Sequence, residues 1–190
     1  MTMPRAIALL TAPITLALAV ALSTAASAQA SSTTRQDPRN DVFLASVGGG
    51  IDLAAVQLKT LDRKTRIQVT FRLHSSPALE RSLEKPGGLS VQFVKNARTL
   101  RVASIFTKDG DLRGEICSHT TGDAGGQHSC RRLQVTRVDA RTYRTSVRLT
   151  QVKKGATLLR WTASSMDISN GDPVSDQLTA KGGEPFRWRL

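Results

Sequence analysis

The stretch Cys117-Ser-His119 is mirrored, after eight intervening residues, by His128-Ser-Cys130. Its four outer side chains are of types that ligate metals, and its two cysteines are also a possible disulfide. On an antiparallel ladder with Cys117 opposite Cys130, His119 faces His128 and Glu115 faces Arg132, so the three pairs share one face of a hairpin. Leu112 opposite Val135 and Gly114 opposite Leu133 then form the core side, and Arg131, opposite Ile116, is the one misfit. Two cysteines in direct opposition favour a disulfide in an oxidising compartment. A tetrahedral zinc set of Cys117, His119, His128 and Cys130 is the competing arrangement. It requires the ladder to distort, because Cys117 to His119 spans about 7 Å along a strand. A third arrangement keeps the disulfide and uses His119 and His128 as a clamp for copper or zinc, with Asp123 from the intervening segment.

A second symmetry joins "DPRND" (Asp37 to Asp41) with "DPVSD" (Asp172 to Asp176). If the two ends of the chain lie together, Asp37, Asn40, Asp41, Asp172 and Asp176 supply hard oxygen ligands for calcium. Each stretch is also explained separately as a turn or helix start, the aspartate capping and proline taking the first helical position. Catalytic groupings are absent by comparison. His74 stands beside Ser75 and Ser76 without a glycine-rich nucleophile turn, and Glu80, Glu84 and Glu115 show no spacing that marks a glycosidase pair. The sequence therefore reads as a non-enzyme.

These residues must be held by strands, because the dominant period is two. In "RIQVTFRL", Ile67, Val69, Phe71 and Leu73 alternate with Arg66, Gln68, Thr70 and Arg72, the pattern of one buried and one wet face. The same parity places Ala54, Val56 and Leu58, Leu89, Val91 and Phe93, Leu100, Val102 and Phe106, Tyr143, Val147 and Leu149, and Leu159, Trp161 and Ala163 inside. Turn signals separate the runs, and "PALERSLE" reads as a short helix or helical turn. The Lys108-Asp109-Gly110 turn fits a three-residue loop, which sets Phe106 against Leu112 and Val102 against Ile116. The expected fold is all-β, an antiparallel two-sheet sandwich of about eight strands with at most one short helix.

Residues 1–30 read as a signal peptide. Arg5 precedes an uncharged apolar run to Leu22, and small residues follow around Ala26-Ser27-Ala28. Residues 31–190 are then one domain, with no segment approaching the roughly 20 apolar residues of a membrane helix. The expected location is secreted or extracellular. The chain carries a formal charge of +12, and the signal contains only Arg5 of it. In an exported protein this charge points to an anionic envelope polymer or polysaccharide and away from nucleic acid. The candidate surface is an arginine-rich outer face including Arg132, Arg144 and Arg148. In the closing "FRWRL", Arg187 and Trp188 form a ligand-contact strip, unless the strand buries Phe186, Trp188 and Leu190 together.

The order "DPRNDV", "IDLAAVQL", "RIQVTFRL" after a signal peptide resembles small exported bacterial β-sandwich proteins similar in shape to carbohydrate-binding jelly rolls. The likeness spans about the first half of residues 31–190 and rests on alternating strands behind an aspartate-rich start. It implies a jelly-roll-like sandwich with a ligand-binding or envelope-associated role. The chain departs from sugar-binding modules in its aromatics: the parity sends Phe71, Phe93, Phe106, Tyr143 and Trp161 inward, leaving Phe43, Phe186 and Trp188 for a platform.

Overall fold

The structure is a computed structural model that describes residues 30–39, 51–77, 83–96, 98–120, 129–168 and 173–190. The expected signal peptide lies outside them except for its last residue, as do residues 78–82 of the helical reading. In chain order the strands are β1 (Ser32–Gln36), β2 (Leu53–Leu61), β3 (Arg66–Leu73), β4 (Gly88–Val94), β5 (Thr99–Lys108) and β6 (Asp111–Thr120). They continue as β7 (Ser129–Leu133), β8 (Val135–Asp139), β9 (Thr142–Arg148), β10 (Leu158–Asp167), β11 (Val174–Leu178) and β12 (Phe186–Arg189). One helical turn, α1 (Leu149–Val152), follows β9 and ends the strand one residue before Leu149, which the alternation had placed inside it.

Two antiparallel sheets form the sandwich. The five-stranded sheet has the order β1-β2-β3-β9-β8. The seven-stranded sheet has the order β11-β10-β4-β5-β6-β7, with β12 also pairing β10, so β11 and β12 lie end to end along one flank of that long strand. Their inner faces share one core, in which Phe71 pairs with Tyr143 on one sheet and Phe93 with Trp161 on the other. In β3 and β9 every second side chain faces the core and is removed from water, while Arg66, Gln68, Arg72, Arg144, Ser146 and Arg148 between them keep at least partial exposure.

The strand count exceeds the expected eight for two reasons. The short flanking strands β1 and β11 carry too few residues to show a period, and the closing β12, read as a strand from its alternation, comes on top of the eight. The run from Ser129 to Asp139, continuous in sequence, is also divided at Gln134 between the two sheets: β7 pairs β6 and β8 pairs β9. Leu112 is therefore not paired with Val135. That valine still crosses close above β6, where a Cβ on Gly114 would stand 2.5 Å from Val135 Cγ2. Glycine at this position lets the crossing chain approach.

A second correction concerns the β5–β6 hairpin. Asp109 and Gly110 both have positive φ, 55° and 79°, and Lys108 pairs Asp111, so the loop has two residues rather than three. The register moves by one residue: Val102 faces Cys117 and Phe106 faces Arg113. A slip of one residue reverses both faces of a strand. Ala103 and Ile105 are therefore in the core, while Leu100, Val102 and Phe106 lie on the outer face. Phe106 remains only 6% exposed, with the Leu83–Lys85 segment crossing beside it at Thr107 and the Lys85 ammonium 4.7 Å from its ring centroid.

Candidate functional site

The outer face of the five-stranded sheet gathers positive charge, and its one strand carboxylate, Asp139, stands at the end of the outermost β8, opposite Thr142. None of β1, β2, β3 or β9 contains an Asp or Glu. Register places Arg66 directly opposite Arg148, Gln68 opposite Ser146, Thr70 opposite Arg144, and Arg72 opposite Thr142. On the other flank of β3, Lys59 faces Gln68 and Gln57 faces Thr70. Lys59, Arg66, Arg72, Arg144 and Arg148 therefore share a strip about 10 Å wide and about 20 Å long, two strand spacings by six residues.

Like charges directly opposite one another weaken a ladder, and here Arg66 is relieved only by donating from Nη2 to Ser146 Oγ. The Nε of Arg144 is buried without a hydrogen-bond partner among the described residues. Between the cations the face carries hydroxyl and amide side chains from Thr34, Gln57, Gln68 and Ser146, which suit polar ligands with many oxygens.

The seven-stranded sheet is different in kind. Several cations on or beside its outer face are paired with acids: Lys85 with Glu115 at 2.7 Å, Arg113 with Asp111 at 3.4 Å and Asp109 at 3.8 Å, and Arg160 with Glu184 at 3.5 Å. Arg132 stands on the outer side of this sheet opposite Glu115, so it is not brought together with Arg144 and Arg148. Arg187 is exposed beside Arg160, also on this sheet. Trp188 is 4% exposed, packs in the core and donates from Nε1 to Ser31 Oγ at 2.9 Å. Phe186 meets Trp161 with ring centroids 5.1 Å apart, so the closing strand contributes no aromatic platform.

Cys117 and Cys130 are disulfide-bonded and directly opposed, in the register read from the sequence, with Glu115 facing Arg132 and Arg131 facing Ile116. Both sulfurs are thus withdrawn from the four-ligand zinc set. Glu115, Cys117 and Cys130 do bring a carboxylate oxygen and two sulfurs within 4.8 Å of one another, but the carboxylate is held by Lys85. His119 is half-buried opposite Leu100, and His128 and Asp123 lie outside the described residues.

Of the aspartate pair, Asp37 and Asp176 are both buried on segments that meet the start of β2. The backbone N–H of Asp37 donates to Ala54 O, and a carboxylate oxygen of Asp176 accepts from Leu53 N–H at 2.7 Å. Asn40, Asp41 and Asp172 lie outside the described residues. His74 donates from Nε2 to the Asp37 carbonyl, while the hydroxyl-bearing neighbours Ser75 and Ser76 are exposed.

No protein-family model matches the chain, and neither a curated protein nor a solved structure matches it. Among the described residues no helix is long and apolar enough to cross a membrane. The sequence reading had marked Arg66, Arg72, Arg144 and Arg148 as wet-face residues. It missed Lys59 and the fact that β3 and β9 are neighbours, which pairing between segments about 75 residues apart decides.

Proposed function

We propose that the chain is an exported, non-catalytic binding module for an anionic polymer of the cell envelope or extracellular space, such as an acidic polysaccharide. The observation that carries this reading is the outer face of the five-stranded sheet, where Lys59, Arg66, Arg72, Arg144 and Arg148 share a strip whose four strands hold no carboxylate. Neighbouring cations on it lie within about a Debye length, so their fields add. A flat strip about 20 Å long suits an extended ligand with repeated negative charges better than a compact one. The signal-peptide pattern supports export, and export favours a saccharide or envelope polymer over nucleic acid.

The test is affinity for an acidic polysaccharide and for a neutral one, measured across ionic strength. Binding of the acidic polymer should weaken about tenfold or more between about 50 and 200 mM salt, by analogy with counterion release from other polyanions. Arg66→Gln with Arg148→Gln should remove most of it. Equal binding of the neutral polymer, or no effect of the double substitution, would overturn the reading.

A second reading, a structural calcium at the end of the sandwich, draws support from the burial of Asp37 and Asp176 beside the start of β2. Native mass heavier by one calcium, together with a fall in melting temperature on chelation, would support it. A native mass unchanged by added calcium would end it.

A further inference from the structure

One misfit of the hairpin remains unused by the cationic strip. Arg131 points to the core side of β7, and the corrected β5–β6 register turns Arg101 to the same inner face. Both line a cavity of about 340 Å³ at the mouth of the sandwich, between the seven-stranded sheet and α1. Ser118 and Ser129, which pair with each other, line it from β6 and β7, and Thr150 and Gln151 line it from α1. Among the described residues that line it, the cavity has two guanidiniums, three hydroxyls and no carboxylate.

Arg101 is fixed in place. Its Nε donates to the Gln151 carbonyl at 3.1 Å, and Gln151 is itself anchored because its Oε1 accepts the Arg148 backbone N–H at 2.9 Å. With the guanidinium plane so oriented, Nη1 of Arg101 is buried and has no hydrogen-bond partner among the described residues. A buried donor left unmade is among the costlier arrangements in a fold, and a charged one more so. An inward-pointing charge on β7, an edge strand, has an ordinary explanation in protection against edge-to-edge pairing. That explanation does not reach Arg101, which is on an interior strand with neighbours on both sides.

The ladder sets Arg101 and Arg131 two strand spacings and two residues apart, about 10 Å across by about 7 Å along. That separation lets two extended arginine side chains converge on one small group between them. The planar guanidinium offers paired N–H donors matched to the oxygens of phosphate or sulfate.

We propose that this mouth is a binding site for a single phosphate or sulfate group, gripped by Arg101 and Arg131 with hydroxyl donors from Ser118, Ser129 and Thr150. It is separate from the cationic strip, which lies on the outer face of the other sheet. The group arrives either as the free ion or as a substituent of a polymer whose chain lies outside the mouth.

The test is an NMR titration of the full isotope-labelled chain, first with inorganic phosphate and then with dextran sulfate. Phosphate should shift the amides of Ser118, Ser129, Arg131 and Thr150 and the Arg101 Nε–H along one saturating curve. Arg131→Gln, a change at an exposed side chain, should weaken the phosphate site about tenfold. Arg101→Lys should weaken it as much, because the charge stays and the fork of donors goes. If Arg101→Lys does not fold, Arg131→Gln still decides.

Saturation by phosphate that dextran sulfate does not displace identifies the free ion as ligand. Displacement with the same residues shifted identifies a substituent on a polymer. The proposal is overturned if neither probe gives a saturating shift at these residues, if the shifts fall on Lys59, Arg66 and Arg148 instead, or if Arg131→Gln binds phosphate like the parent.

Discussion

Replacing both Cys117 and Cys130 with alanine is the perturbation whose size is easiest to derive. The bond closes a sequence separation of 13 residues, and the loop-closure entropy it removes from the unfolded chain corresponds to about 3 kcal/mol at 25 °C. Cys130 is exposed, but Cys117 is 6% exposed, so its lost sulfur contacts raise the upper limit toward about 4 kcal/mol. At about 2–4 °C per kcal/mol for a domain of this size, the melting temperature should fall by about 6–16 °C. The loss should also be uneven in space. Among the described strands β7 is an edge strand paired only with β6, so its amides should lose hydrogen-exchange protection before those of β3 or β4. Urea unfolding of parent and variant gives the first quantity, and exchange monitored residue by residue gives the second. A loss below about 1 kcal/mol, or equal deprotection of β7 and β3, would refute the idea that the bond both restricts the unfolded chain and pins this edge.

Further outcomes follow from three individual residues, Gly114, Tyr143 and Asp139. Gly114→Ala should destabilise by about 1–3 kcal/mol because its new methyl meets Val135 Cγ2, and adding Val135→Ala should recover part of that loss in urea unfolding. Tyr143 is the sole tyrosine, and burial pushes its phenol above its ordinary value of 10.0. Its tyrosinate absorbance should therefore appear late in an alkaline titration, and the raised value gives stability that is present below pH ~10 and lost as pH rises through the folded value. Because its hydroxyl is buried without a partner among the described residues, Tyr143→Phe should leave stability unchanged or raise it by up to about 1 kcal/mol. The Asp139 carboxylate, held by the Arg141 backbone N–H and then the Thr142 hydroxyl, titrates below its usual 3.8. Its contribution is therefore present above the unfolded value and lost as pH falls through the folded one. Asp139→Asn should destabilise at neutral pH and converge with the parent in acid, as followed by carboxyl NMR and melting.

The two-sheet fold and the β6–β7 register were legible because period-two alternation and one covalent pair constrain them locally. The β5–β6 register was not. Lys-Asp-Gly suits either a two- or a three-residue loop, and the choice turns on whether Asp109 takes positive φ. That one residue exchanged Val102 and Phe106 for Ala103 and Ile105 in the core, and it brought Arg101 to the inner face where the proposed oxyanion site lies. The cationic strip was half legible: alternation marked Arg66 and Arg148 as wet, but their direct opposition requires β3 and β9 to be neighbours. The division of Ser129–Asp139 between sheets leaves no local mark, since Leu133-Gln134-Val135 carries the apolar-polar alternation straight across the break.

That division at Gln134 also governs how the two sheets are tied together. β7 and β8 are outermost strands of different sheets, yet they are one uninterrupted stretch of backbone. On the opposite side the sheets are joined by side-chain and backbone groups, Ser31 Oγ donating to Arg189 O at 2.7 Å and accepting from Trp188 Nε1. One side is a crease and the other a clasp. Covalent continuity ties the sheets more tightly at the crease than hydrogen bonds tie them at the clasp. Arg131 stands three residues from Gln134. The mouth it shares with Arg101 therefore lies on the covalently tied side of the sandwich.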